Sequence, residues 1–162
     1  LVVSDIFYTP KEGDVIVFHQ TGGQNQDIYS LSLNEPIVKR VIATSGEWID
    51  IKLTGDKLTV TVYDKNKENP RVLEEDYAKY SGSPSWNPTG YHEYPLQIPD
   101  GYVFVMGDNR NHSEDSRFSD VGCVKKEAVL GKVLLVVFPG RQTNEFGAVT
   151  GGRSWHRFGA VS

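Results

Sequence analysis

Apolar and polar positions alternate or form short blocks along the chain, a pattern that predicts β-strands rather than helices. Leu58, Val60 and Val62 alternate with polar side chains, which indicates a half-buried strand. Residues 102–106 and 132–138 are unbroken runs of β-type residues, which are typical of strands buried on both faces. Further strand-like runs occupy residues 1–3, 14–18 and 37–42, and a single helical turn is predicted at residues 125–129. We therefore expect a mostly β fold of antiparallel sheet.

The local composition divides the chain into four parts. Residues 1–63 and 96–140 are expected to form the two parts of one β core, in which residues 20–35 make an exposed loop. Residues 64–95 are rich in polar residues, glycine and proline, with isolated Tyr and Trp residues between them. That composition predicts a loop-rich insertion that is anchored by single aromatic rings. Residues 141–162 form a tail without periodicity, and the sequence assigns no role to it.

Composition and charge narrow the class of protein. The length of 162 residues suits one domain, and 38% hydrophobic residues can build a core. The net charge of −4 argues against nucleic acid as the main partner, because nucleic-acid-binding domains normally present a basic face. Cys123 is the single cysteine, so no intrachain disulfide can form, and a small buried hydrophobe is its usual role. No apolar run approaches the roughly 18 residues that a transmembrane helix needs.

Two adjacent cations, Lys39 and Arg40, interrupt the strand-like run at residues 37–42. Because side chains alternate between the faces of a strand, the two point to opposite sides, and one must face the core. Burial lowers the pKa of an amine, and a lysine pKa lowered by about 3 units suits a general base near neutral pH. The alternative is an edge strand with two solvated cations. The run alone leaves both interpretations open.

A polar loop, residues 107–117, directly follows the predicted strand at 102–106. It reads Gly-Asp-Asn-Arg-Asn-His-Ser-Glu-Asp-Ser-Arg and contains no aliphatic side chain. Such a loop can satisfy its polar groups through Asx turns and Arg–carboxylate pairs, and it can place a hydroxyl beside a buried lysine. The alternatives are a calcium-binding loop or a turn that is merely well bonded. The order of the oxygen ligands does not fit an EF-hand loop.

Three motifs in order resemble those of the type I signal peptidases. The first is the strand Gly-Asp-Val-Ile-Val-Phe at residues 13–18, and the second is Val-Lys-Arg-Val-Ile at 38–42, followed by Gly46-Glu47. The third is the loop at 107–117, which matches Gly-Asp-Asn-Arg-x-x-Ser-x-Asp-Ser-Arg at every fixed position. The resemblance extends over residues 13–139 and implies the antiparallel coiled β-sheet fold of that family.

The resemblance also implies roles for individual residues. Lys39 would be the general base that activates a serine nucleophile, and the Ser113 hydroxyl would orient its amine. Four residues would support this catalytic loop: Asp115 and Arg117 would form a pair that fixes it, and Arg40 and Asp108 would contribute on the far side. Three residues would line a small substrate pocket: Val38, Met106 and Gly107. The resemblance implies neither a metal nor an organic cofactor.

The implied activity is that of a membrane-anchored serine endopeptidase. It would remove signal peptides from secreted preproteins after Ala-x-Ala-like sites, with its catalytic domain on the extracytoplasmic side of the cell membrane. The chemistry would be acyl transfer in which lysine replaces the histidine of a Ser-His-Asp triad.

One family motif does not occur in these 162 residues. The nucleophilic serine of the family lies in a Ser-Met-x-Pro-Thr-like box, ahead of the strand that corresponds to the start of this sequence. We therefore expect the chain to be part of a longer protein whose upstream segment supplies the serine, the oxyanion donors and the membrane anchor. By itself the chain is expected to be inactive. The alternatives are a signal-peptidase-like binding or assembly factor without catalysis, and a serine/lysine fold of the self-cleaving repressor group, which lacks the pattern at 107–117.

Overall fold

The structure is a computed structural model that describes residues 2–4, 8–19, 36–80, 89, 92–136, 141–143, 149–153 and 159–160. Within these residues the chain forms antiparallel strands and two short 3₁₀ turns, so the predicted mostly β fold is confirmed. The strands are β1 Val2–Ser4, β2 Val15–His19, β3 Pro36–Thr44, β4 Trp48–Thr54, β5 Lys57–Tyr63, β6 Arg71–Val72, β7 Leu96–Gln97, β8 Tyr102–Met106, β9 Val124–Lys125, β10 Val129–Val136, β11 Arg141–Thr143, β12 Val149–Arg153 and β13 Gly159–Ala160. The 3₁₀ turns are Arg110–His112 and Lys126–Ala128.

The larger sheet has seven strands and carries the lysine motif at its centre. Its order is β1-β10-β2-β3-β8-β9, and β13 also pairs with β10. Strand β3 lies between β2 and β8, where Lys39 is opposite Ile16 of β2 and Arg40 is opposite Met106 of β8. The loop 107–117 therefore leaves β8 beside the middle of β3, and the second and third motifs meet although they are far apart in sequence.

The smaller sheet packs beside the larger one and has four strands in the order β6-β5-β4-β7. Strands β4 and β5 form a hairpin whose turn contains Gly55 at a φ of +67°, a conformation that glycine adopts without a Cβ penalty. Leu58, Val60 and Val62 of β5 are buried while the residues between them are more exposed, as the alternating pattern predicted.

Both faces of the larger sheet are covered. Ile42 and Phe104 belong to a cluster that also contains Ile49 and Val60 of the smaller sheet. Val41 belongs to a second cluster, with Ile16, Phe18, Val103, Val105 and Val124. Apolar clusters lie against both faces of β3, so a side chain of this strand is at least partly buried whichever face it lies on. Arg40 is 6% exposed and Lys39 is partly buried, so the prediction that one of the two cations faces a core is confirmed.

The predicted strands agree with the structure to within a few residues. Residues 132–138 were expected to be buried on both faces, but Val133 is 1% exposed and Leu134 is 43% exposed, so this part of β10 alternates instead. Seven of the described strands were not predicted: β4, β6, β7, β9, β11, β12 and β13. Of these, β4 shows a period of two in the sequence, because Ile49 and Ile51 alternate with Asp50 and Lys52. The predicted helical turn is a 3₁₀ turn of three residues.

The predicted insertion and tail are only partly described. Residues 20–35, Trp86 and Tyr91 lie outside the described residues. Tyr80 and Tyr94 pack against the larger hydrophobic cluster, in agreement with the predicted aromatic anchors. In the tail, β11 pairs with β12, and β13 pairs with β10 of the larger sheet. The division of the chain at residues 63, 95 and 140 stays a prediction. In the part of the chain that the structure describes, no helix has the length and apolar character needed to cross a bilayer.

Candidate active site

Lys39 and Ser113 meet beside the end of β8. The Nζ of Lys39 donates a hydrogen bond of 2.8 Å to the Oγ of Ser113, although 74 residues separate them in sequence. Lys39 lies in the middle of β3, and Ser113 lies in the 107–117 loop, directly after the 3₁₀ turn Arg110–His112. Lys39 is thus positioned by a strand of the larger sheet, and Ser113 by the loop that leaves the neighbouring strand β8. The structure brings together the two residues that the motifs single out.

The surroundings of Lys39 favour its neutral form. Burial lowers the pKa of the Lys39 amine below the ordinary lysine value, and the nearby charge of Arg117 lowers it further. Asp115 and Glu114 act in the opposite direction, because a nearby anion favours the ammonium, but burial is the larger effect. A lysine with a lowered pKa has a larger fraction of free amine near neutral pH, which is what a general base requires.

A buried ion pair holds the loop that carries Ser113. Asp115 and Arg117 are 0% exposed, and the Arg117 guanidinium donates to the two carboxylate oxygens at 2.8 and 2.9 Å. The same Asp115 carboxylate accepts the Gly107 N–H at 2.9 Å, and Arg117 also donates to the Arg110 carbonyl oxygen at 2.9 Å. Since a buried pair is stable only when its remaining hydrogen bonds are made, these contacts fix the loop in one conformation.

Arg40 and Asp108, two residues predicted to support the loop, form an ion pair on the other side of β3 from Lys39. The Arg40 guanidinium donates to both carboxylate oxygens of Asp108 at 3.0 Å and to the Gly13 carbonyl oxygen at 2.8 Å. Its centre also lies 4.0 Å from the ring centroid of Tyr77, within the range of a cation–π contact. Arg40 thereby ties β3 to the start of the 107–117 loop and to the predicted insertion.

The three residues predicted to line a substrate pocket differ in their exposure. Val38 is 40% exposed on β3, and Gly107 packs directly against the Ser113 side chain. Met106 is 0% exposed and belongs to the larger hydrophobic cluster, so its side chain does not reach the surface here. The pocket role of all three stays a prediction.

Sequence reasoning missed a further ion pair next to this site. Arg110 is part of the third motif, and its guanidinium is bonded to the carboxylate of Glu75 in the predicted insertion. Glu75 lies in a segment without periodicity, so no sequence pattern indicated its partner. Among the described residues no group of three or more His, Cys, Asp or Glu side chains is arranged to hold a metal ion.

Similarity to known proteins agrees with this geometry. Residues 1–138 match the sequence profile of the family described as signal peptidase, peptidase S26. A signal peptidase I of Leptolyngbya laminosa is 33% identical over 150 residues, which are 91% of this chain and 64% of that protein. The chloroplastic thylakoidal processing peptidase 1 of Arabidopsis thaliana is 31% identical over 138 residues, which are 85% of this chain and 35% of that protein.

The fold is shared as well. A crystal structure of a signal peptidase I from Enterococcus faecalis V583 superposes with a TM-score of 0.50 at 26% identity, covering 77% of this chain and 97% of that one. The chain spans less than two thirds of the length of the Leptolyngbya laminosa and Arabidopsis thaliana proteins. Because the profile match includes all three motifs, and the relatives match along most of the chain, the chain belongs to the signal peptidase family, peptidase S26.

Proposed function

We propose that the whole protein is a signal peptidase I, a serine endopeptidase that removes signal peptides from secreted preproteins by a Ser/Lys mechanism. The single observation that carries the proposal is the 2.8 Å hydrogen bond between a half-buried lysine amine and the Ser113 hydroxyl. Burial lowers the pKa of Lys39, which suits a base and not a structural cation. The nucleophilic serine would come from the family's serine box, which does not occur in these 162 residues.

In the first step the neutral Lys39 amine takes the proton of that serine hydroxyl while the serine oxygen attacks the scissile carbonyl carbon. The resulting ammonium then gives its proton to the leaving amine, which departs as the mature chain, and the signal peptide remains as an ester on the serine. In the second step Lys39 takes a proton from water, whose oxygen attacks the ester. The serine leaves with that proton, and the free amine of Lys39 is regenerated.

Ser113 would orient the base without entering the covalent chemistry. A lysine side chain has four rotatable bonds, so an unrestrained amine would sample many positions. The Ser113 hydroxyl accepts a hydrogen bond from the amine, and the Asp115–Arg117 pair fixes the loop that carries Ser113. Arg40 and Asp108 would in turn hold β3, the strand that carries the base. Such preorganisation lowers the barrier because no rearrangement is needed as the proton moves.

The substrate would bind as an extended strand, so that main-chain pairing gives affinity and shallow pockets give specificity. Val38 and Gly107 would line a pocket for a small side chain, and Met106, whose side chain is fully buried, would support it from the hydrophobic core. A pocket of this kind fits Ala-x-Ala, the pattern of small residues that ends signal peptides. The protein would be anchored in the cell membrane with this site on the extracytoplasmic side, where signal peptides emerge.

The test uses the whole protein and a peptide that contains an Ala-x-Ala site. Cleavage after the second alanine is expected in the native protein and is expected to be abolished in Lys39→Ala. Ser113→Ala should keep the base but misorient it, at a cost of about 10²- to 10³-fold in rate. Lys57→Ala, at an exposed lysine beside the β4–β5 turn, is the matched control and should cleave normally. Peptide binding without any cleavage by the native protein would instead indicate a binding factor, and full activity of Lys39→Ala would exclude the Ser/Lys mechanism.

A further inference from the structure

Glu75 and Arg110 form a buried ion pair between the predicted insertion and the 107–117 loop. The two guanidinium NH groups of Arg110 donate to the two carboxylate oxygens of Glu75 at 2.6 and 2.5 Å. The side chains are 1% and 8% exposed, so the pair is shielded from water. Burial opposes the charge of Arg110, but the bonds from Glu75 raise its pKa above the ordinary value. Glu75 is therefore the counter-charge that keeps Arg110 in its buried position.

Arg110 in turn holds the backbone against which Ser113 packs. Its Nε donates to the Gly107 carbonyl oxygen at 3.1 Å, while the Gly107 N–H is bonded to Asp115 at 2.9 Å. The backbone N–H and the carbonyl oxygen of Gly107 are thus both hydrogen-bonded. Gly107 lies directly against the Ser113 side chain, so any shift of Gly107 changes the space in which the Ser113 hydroxyl sits.

The segment around Glu75 is itself docked on the loop by further contacts. The Lys79 N–H donates to the Asp108 carbonyl oxygen at 2.7 Å, and the Arg110 N–H donates to the Lys79 carbonyl oxygen at 2.9 Å. Tyr77 donates its hydroxyl to Glu75 at 3.1 Å, and its ring centroid lies 5.9 Å from the Arg110 guanidinium. Since these contacts are made from one short stretch, Glu75 is held in place independently of Ser113.

We infer that Glu75 is a positioning residue of the peptidase reaction, which acts through Arg110 and Gly107 to hold the Ser113 hydroxyl against Lys39. The inference rests on the proposed function. Without its carboxylate, the Arg110 guanidinium would be a buried charge without a counter-ion, and such a charge moves towards water or another anion. Either movement breaks its bond to the Gly107 carbonyl oxygen. Ser113 then loses its fixed support, and the base is oriented less well.

The experiment is a double-mutant cycle in the whole protein, with cleavage of an Ala-x-Ala peptide as the readout. Glu75→Gln keeps the size of the side chain and removes its charge, and it should lower kcat by about 10- to 10²-fold with little change in KM. In a Ser113→Ala background the same substitution should cost less than about 2-fold, because the hydroxyl that it positions is already absent. Glu74→Gln, the same change at the exposed neighbouring residue, should leave kcat unchanged in both backgrounds.

A merely structural role for Glu75 predicts a different result. In that case Glu75→Gln would lower the rate by the same factor with and without the Ser113 hydroxyl, and this result would overturn the inference. An unchanged kcat in Glu75→Gln would overturn it as well. If Glu75→Gln does not fold, Glu75→Asp keeps the charge and shortens its reach, and the same dependence on Ser113 is expected from it. The experiment also distinguishes this inference from the proposed function. If the native protein does not cleave the peptide, or cleaves it independently of Lys39, both are refuted. If cleavage depends on Lys39 but is unaffected by the substitution of Glu75, only this inference is refuted.

Discussion

Ser113 lies so close to Gly107 that there is no room for a side chain between them. A Cβ atom built on Gly107 would meet the Ser113 Oγ at 2.1 Å and the Ser113 Cβ at 2.5 Å. It would also lie 3.6 Å from the Lys39 Nζ. Real Cβ atoms are not found at the two shorter distances, so a side chain here must displace Ser113 or the backbone. The glycine that follows β8 is thus part of the geometry that brings Lys39 and Ser113 together.

Gly107→Ala is therefore expected to separate Ser113 from Lys39. The added methyl group cannot be accommodated where the Ser113 hydroxyl lies, so cleavage by the whole protein should fall at least as far as in Ser113→Ala, by about 10²-fold or more. Gly152→Ala is the matched control, because a Cβ there would meet no atom within 4 Å. Cleavage rates of both variants test the prediction. Native activity in Gly107→Ala would show that the loop can move aside without loss.

Asp115→Ala is expected to destabilise the fold as well as impair activity. Asp115 and Arg117 are completely buried, so removing the carboxylate leaves a buried guanidinium without its counter-charge and breaks the bond to Gly107. Removing one partner of a buried ion pair typically costs about 3–5 kcal/mol of unfolding free energy. Chemical denaturation of Asp115→Ala can be compared with Asp56→Ala, an exposed carboxylate in the β4–β5 turn that should cost little. Equal stability of the two variants would contradict the assigned role.

Much of the site could be predicted because its residues lie within two continuous motifs. Lys39 is flanked by strand-forming residues and Ser113 lies at a fixed place in a polar loop, so each segment indicated its own local structure. Their contact follows from the pairing of β3 with β8. The Glu75–Arg110 pair could not be predicted in the same way. The two residues are 35 positions apart, and Glu75 lies in a stretch whose conformation is set by tertiary contacts rather than by periodicity.

The exposure of Leu134 did not follow from the sequence. Leu134 and Met106 lie in apolar runs of the same kind, and both runs predicted burial, yet Met106 is fully buried between two sheets whereas Leu134 is 43% exposed. An apolar run indicates a strand, but the number of its faces that are covered depends on which elements pack against them. The same limit applies to Lys39 and Arg40, whose alternation was correct but whose surroundings depend on clusters formed by distant strands.

The 162-residue chain alone is expected not to cleave signal-peptide substrates. In the proposed mechanism Lys39 activates a hydroxyl but does not replace the nucleophile, and the family's Ser-Met-x-Pro-Thr-like box does not occur in this sequence. The purified chain should show no cleavage of an Ala-x-Ala peptide above the buffer blank, at any enzyme concentration. Adding back the whole protein provides the positive control. Turnover by the chain that disappears in Lys39→Ala would show that a serine within these residues serves as the nucleophile.

The lowered pKa of Lys39 should make stability depend on pH in a defined direction. In the unfolded chain the lysine titrates near its ordinary pKa of about 10.4, whereas burial lowers the pKa in the folded chain. Between the two values the unfolded chain binds the additional proton, so the free energy of unfolding rises with pH through that window. Below it Lys39 is charged in both states and its burial is unfavourable. The stability advantage of Lys39→Met over the native protein should therefore be largest at low pH and shrink as the pH rises towards 10.

The same measurement tests how the serine-bearing segment influences Lys39. In the whole protein that segment would shield the amine from water, and desolvation is the main cause of the lowered pKa. We therefore expect the amine to be more exposed, and its pKa to be higher, in the 162-residue chain than in the whole protein. The pH at which the Lys39→Met advantage begins to shrink should accordingly lie lower in the whole protein. Denaturation curves of both forms across the pH range supply this comparison. If the Lys39→Met advantage begins to shrink at the same pH in both forms, β3 and the 107–117 loop set the pKa of Lys39 without a contribution from the nucleophile segment.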